Sequence, residues 1–320
     1  MDTRKVQVTG KSTYIVTIPK KWAVKSKLKS GSQLSILYAE DGSLIIKPPG
    51  FKEGKKTKKI KVDKKLEHLK RDIIGLYIVG DHQTIEIQGT GMSREFREQI
   101  KDICNRLVGF ELVESNETTL IIQNYLDSDE FTIEKGIKRM SSIIYLMLDE
   151  LFQAFEDNDR SICKDIIKRD DDIDRMFILV SKQYVNRMNL KKASKNDNLS
   201  LIEAFYYRLA GSNIERIGDH ITKIALHYEY TDMHPEVLDS LKELCNELQK
   251  IFMDSVESLR ESDNELANEV LENGEEFDSR LVIAGNLQAE DSIEIIIDSF
   301  SRIKDYASNI AEHAIDLSQL

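Results

Sequence analysis

The sequence predicts a multidomain α+β protein with a β-rich head, a small α/β segment and a long all-helical region. Three observations carry this expectation. Apolar and polar residues alternate at period two across residues 4–47. Helical and strand periods are mixed across 60–126. From Thr132 onward the apolar recurrence is three and four residues, with Pro235 the single proline. The expected boundaries are 1–50 for the head, 51–130 for a linker and small α/β domain, and 131–320 for the helical domain.

In the head, Val6 and Val8, then Tyr14, Val16 and Ile18, give two short strands. Pro19 ends the second, since proline has no N–H for a ladder. Residues 20–27 suit a short helical turn, and residues 29–32 a loop. Leu34, Ile36 and Tyr38 alternate again before Asp41-Gly42, a pair that tolerates the backbone of a tight hairpin. Residues 44–46 close the module ahead of Pro48-Pro49-Gly50. The Lys-rich stretch 52–61 has almost nothing to bury and is expected as linker.

In the α/β segment a helix runs through Leu66, Leu69, Ile73 and Ile74, and a strand follows at 84–87. Ser93 is the expected N-cap of a second helix through Phe96, Ile100, Ile103, Cys104 and Leu107, with Gly109 at its end. Strands at 110–113 and 119–122 flank a turn at Ser115-Asn116.

Six long helices fit the rest, with breaks near 157–159, 190–198, 231–234, 262 and 287–290. Ser262 and Glu265 are expected to form a capping box. The region repeats itself. Asp159, Ile166, Ile167 and Asp174 match Asp263, Val270, Leu271 and Asp278 in type, and Arg216-Ile217, Asp219, Ile224-Ala225 and His227 match Arg302-Ile303, Asp305, Ile310-Ala311 and His313. Two three-helix units, 131–230 and 235–318, are expected, each covering the other's apolar stripe.

Charge divides the chain. Up to Lys65 there are 17 Lys and Arg against 5 Asp and Glu, a local +12 within a total of −11. A basic head on an acidic body suits a polyanion such as nucleic acid, and also fits a merely soluble basic surface. Cys104, Cys163 and Cys245 are odd in number and form no C-x-x-C pair, so no zinc site or disulfide framework is expected, and a reducing cytoplasm fits. No apolar run approaches a membrane span, and no leader is expected.

Asp170 and Asp174, and again Glu215 and Asp219, lie four apart on expected helices, so each pair shares a face. Two such faces brought together offer oxygen donors for a hard divalent cation or iron. The same spacing serves an ordinary solvated acidic surface. His220 and His227 lie seven apart and extend the set or simply sit at the surface. Gly10-Lys11-Ser12-Thr13 lacks the leading glycine of a phosphate loop and is followed by strand. No nucleophile elbow, H-E-x-x-H or other catalytic constellation occurs, so no enzyme is expected. Lys20, Lys21, Lys25, Lys27 and Lys29 crowd around Trp22, and such lysines grip phosphates or merely solvate a helix face.

Residues 4–47, with Ile18-Pro19-Lys20 and then residues 28–34 ahead of a closing hairpin, resemble the AbrB/SpoVT swapped-hairpin module. That resemblance implies an interlaced homodimeric β-barrel that binds DNA, with Arg4, Lys5, Lys11, Lys20 and Lys21 as the basic residues at its turns. The helical region resembles PhoU, the regulator of phosphate uptake. Residues 214–220, the acidic pair Asp170 and Asp174, and the second copy at 302–312 carry that likeness. It implies a metal held by Asp170, Asp174, Glu215 and Asp219. The match is incomplete: Ser200-Leu201-Ile202 stands where an Asp-Leu-Arg signature is usual, and the second copy has Gly274 and Ser301 where the first has acids. One full site and one degenerate site follow. The order of modules is similar to archaeal phosphate-uptake regulators. It implies a cytoplasmic, phosphate-responsive transcriptional regulator, or alternatively a partner of a phosphate ABC transporter ATPase subunit or a signalling protein that does not touch DNA.

Overall fold

The computed structural model describes residues 3–10, 12–38, 42–48, 56–62, 65–80, 82–126, 130–188, 198–288 and 290–320. They form two compact units, Met1–Lys56 and Thr57–Leu320.

In the first unit, β1 (Gln7–Thr9) pairs antiparallel with β2 (Thr13–Ile15), and Gly10 sits at φ 63° in the turn. Helix α1 (Lys20–Lys25) starts directly after Pro19, whose fixed φ suits a helix entry. Strands β3 (Ser35–Tyr38) and β4 (Leu44–Lys47) make a second antiparallel hairpin. Lys11 and Asp41 lie outside the described residues. The two hairpins are separate two-stranded sheets, and none of this unit's described residues is buried. Tyr14 is 73% exposed and Tyr38 85%. Isolated hairpins with their apolar side chains in water are at best marginal.

The second unit begins with β5 (Thr57–Lys61), α2 (Leu66–Val79), β6 (Thr84–Gln88), α3 (Arg94–Asn105), β7 (Phe110–Ser115) and β8 (Thr119–Asn124). The sheet order is β5-β6-β8-β7, with β5 parallel to β6 and the other pairs antiparallel. The expectation of a linker through residue 61 is corrected here. Residues 57–61 are an edge strand in which Ile60 alone turns to the core, and Lys59 reaches across to Glu86 at 3.1 Å. Lysines on an edge strand discourage further pairing, which is why the segment reads as linker. Ser93 caps α3 by accepting the Phe96 N–H at 3.1 Å. Gly109, at φ 81°, lets the chain pass the Leu126 backbone where a Cβ would come within 2.8 Å of its nitrogen.

The rest is helical: α4 (Ile133–Glu156), a short 3-10 turn (Arg160–Ile162), α5 (Cys163–Met188), α6 (Leu201–Tyr228), α7 (Pro235–Glu261), α8 (Asn264–Gly285) and α9 (Asp291–Leu317). One apolar core runs through all six helices. Helix α6 packs along α9, and α4 packs on α7, so the two three-helix repeats cover each other. Ser200 and Glu203 form a capping box at the start of α6. The expected box at Ser262 and Glu265 is not formed. Ser262 ends α7 in the left-handed region at φ 51°, and the Asp263 carboxylate caps α8 by accepting from Glu265 and Leu266 N–H. The α/β layer docks on α5: Ile178 joins its core, and the Lys182 ammonium donates to the Tyr77 carbonyl at 2.6 Å. All three cysteines are buried and free. Among the described residues no helix is long and apolar enough to cross a membrane.

Candidate functional site

Ile166 and Ile173 hold α5 in the core, and Ile214, Ile217 and Ile221 hold α6 beside it. Gly218 lies at this helix contact, where an added methyl would meet Ile144 and Ile173 at an ordinary 3.5 Å. This packing turns Asp170 and Asp174 on α5 towards Glu215 and Asp219 on α6. Asp170, Asp174 and Glu215 are half-buried, and Asp219 is more open.

All four carboxyls are held above their ordinary range. Partial burial is the main cause for each, and the neighbouring acids add to it. Glu215 moves furthest, pushed up to about 7 by burial and then by Asp219 and Asp174, with Arg216 opposing. Thr222 Oγ1 donates to Asp170 Oδ1 at 3.4 Å. From the α/β layer, Lys70 and Arg106 pull Asp174 downward, and Arg106 pairs with Asp171 at 3.1 Å. Together with Arg175 they line a cleft of about 100 Å³ that Asp174 also enters. The four acids therefore share one electrostatic environment. Among the described residues, though, no three His, Cys, Asp or Glu side chains are drawn together as a ready metal-ligand group.

His220 stands apart from this cluster. Its ring lies 5.8 Å from that of Tyr306 on α9. Burial, then Lys223, lowers its pKa, and the other charges acting on it are Asp298 and Arg302.

The second repeat is built differently. Lys304, which sequence reasoning missed, donates to Asp278 Oδ2 and pairs with Asp305 Oδ1, both at 2.8 Å. The signal was present, because the repeat register sets Lys304 against Gly218. In the head, Arg4, Lys5, Lys20 and Lys21 are all exposed, Lys20 and Lys21 in the first turn of α1.

Residues 137–227 match the PhoU domain family, and residues 7–53 match the family described as antidote-toxin recognition MazE, bacterial antitoxin. The phosphate-specific transport system accessory protein PhoU homolog of Clostridium acetobutylicum is 22% identical over 205 residues, which is 60% of this chain and 93% of that protein. The crystal structure of the phosphate transport system regulatory protein PhoU from Streptococcus pneumoniae superposes with a TM-score of 0.48 at 15% identity, over 58% of this chain and 92% of that one.

Proposed function

We infer, from a chain that joins a MazE/AbrB-type domain to a PhoU domain, that this protein is a phosphate-responsive transcriptional regulator of phosphate uptake. The observation that carries the reading is the division of charge. The +12 of the first 65 residues lies on and just beyond the antitoxin-type domain, while the remainder of the chain is acidic. Phosphate-backbone contacts reward the first and repel the second. Arg4, Lys5, Lys11, Lys20 and Lys21 are the residues assigned to the DNA backbone.

The head works as a homodimer. None of its described residues is buried, and its two hairpins leave strand edges and apolar side chains free, so a second copy interlaced as a swapped-hairpin barrel supplies the missing core. In the helical domain, Asp170, Asp174, Glu215 and Asp219 are the residues that hold a divalent or iron cation. Their oxygen donors suit such an ion, and their shared upward pKa shift marks a cluster that a positive charge relieves. A bound cation supplies the charge that lets the four carboxylates stay ionised side by side. The protein acts in the cytoplasm by binding, not by catalysis.

Val282 and Ile283 stand side by side on α8, each 65% exposed. They favour a second reading, in which the helical domain holds a phosphate ABC transporter ATPase subunit or a signalling protein and the head only dimerises. Genome-wide mapping of bound DNA in cells grown with high and low phosphate separates the two. The first reading expects occupancy near phosphate-uptake genes that changes with phosphate. Absence of specific occupancy under both conditions favours the second.

A further inference from the structure

The repeat register aligns Asp170, Asp174, Glu215, Gly218 and Asp219 with Gly274, Asp278, Ser301, Lys304 and Asp305. Four acids and no base become two acids and one base. The exchanges are mutually adjusted. Lys304 is only 12% exposed, and its ammonium sits between Asp278 Oδ2 and Asp305 Oδ1 at 2.8 Å from each. Gly274 leaves room for the lysine stem, since a Cβ there would lie 3.2 Å from Lys304 Cδ, and the acid found at the matching position 170 would extend further into it. In the first repeat the lysine's place is the buried Gly218, whose added methyl would already touch Ile144 and Ile173. Burial alone would push the Lys304 amine down, but the two carboxylates hold it above its ordinary value, so it stays charged. The remaining cation nearby, Arg302, is 3.7 Å from Asp305 and 3.8 Å from Asp298.

We propose that Lys304 is the resident cation of the second repeat: its ammonium stands between Asp278 and Asp305 in place of a metal ion, and only the first repeat answers to a cation from solution. For the first repeat this rests on the metal reading above; for the second it rests on Lys304 itself. An ammonium tied to the chain cannot dissociate, so the second repeat carries its countercharge permanently and the first conditionally. The pair is thereby a single-input device with a fixed reference half.

The test silences the first repeat with Asp174→Asn and Asp219→Asn in the full-length chain, then compares Ser301→Glu with and without Lys304→Ala. Manganese binding is read by calorimetry and by elemental analysis after dialysis. With Lys304 present, the added carboxylate at 301 recruits no metal. With Lys304→Ala, three carboxylates face one another with no ammonium between them and only Arg302 beside Asp305, and about one equivalent of manganese binds and raises the melting temperature. Metal uptake while Lys304 is present, or none after its removal, overturns the proposal. A second variant separates loss of charge from loss of fold: beside Ser301→Glu, Lys304→Arg keeps a cation between the carboxylates and recruits no manganese, and uptake there also overturns the proposal. Because the first repeat is disabled throughout the metal comparison, its own metal content does not enter the result.

Discussion

Lys182 is buried where α5 meets α2, 5% exposed, with its ammonium 2.6 Å from the Tyr77 carbonyl and 4.3 Å from the centre of the Tyr77 ring. The carbonyl lies in the last turn of α2, where helix carbonyls lack partners and a positive charge is favoured. Burial pushes the Lys182 amine down from 10.5 to about 8. Between those values the unfolded chain keeps a proton that the folded chain has released, so stability rises with pH across that window. A shift of this size corresponds to about 3 kcal/mol at full extent, and the carbonyl and ring face, which favour the ammonium, make that a ceiling. Lys182→Met removes the titration. Urea unfolding of both proteins at pH 7, 8, 9 and 10 measures the difference, in which titrations common to both cancel. Tyr77, pushed well above its ordinary value by burial, stays neutral throughout. The wild type is expected to gain on the variant as pH rises from 8 to 10. A difference that stays flat within about 0.5 kcal/mol, or falls, would refute the argument that a buried ammonium joins the two layers.

Two glycines in helices should respond with opposite signs. Gly75→Ala meets nothing within 4 Å and should stabilise by about 0.5–1 kcal/mol. Gly136→Ala would overlap the Val180 Cγ2 methyl where α4 crosses α5 and should cost about 1–3 kcal/mol, both read from chemical denaturation. Asp174→Asn with Asp219→Asn should abolish most bound metal in elemental analysis of protein purified without chelator, while Asp278→Asn with Asp305→Asn should leave it nearly intact. Equal metal in both, or none in the parent, returns the acids to a solvated surface. Sedimentation of the full chain at micromolar concentration should give a dimer, and a stable monomer would remove the interlaced head.

The helical half was legible because its apolar residues recur at one helical period and because it repeats, so breaks, core face and acidic pairs all followed from spacing. Ser93 and Gly109 were equally readable, each fitting one backbone role. Strand β5 was hidden because its stability comes from a parallel partner 27 residues away in register, Thr57 to Thr84, while its own composition is three lysines, one threonine and a single apolar residue, Ile60. The cap at α8 was misplaced by one residue because Ser262 and Asp263 are both good caps, and only the left-handed turn at Ser262 decides between them. Lys304 and Lys182 escaped because a lysine reads as surface until its partners are known: for one, Asp278 on the neighbouring helix α8 together with the adjacent Asp305, and for the other, a carbonyl 105 residues earlier in the chain.

The central claim is that the head binds duplex DNA through its basic residues. The most direct measurement is the salt dependence of promoter-DNA binding by the full chain, followed by fluorescence anisotropy, for the wild type and for a variant with Arg4, Lys11, Lys20 and Lys21 neutralised. Wild-type binding should weaken linearly in log–log form as salt rises. The variant should bind less tightly, with its slope shallower by about 0.9 for each phosphate it no longer neutralises. No wild-type binding near physiological salt, or a variant with unchanged affinity and slope, would contradict it.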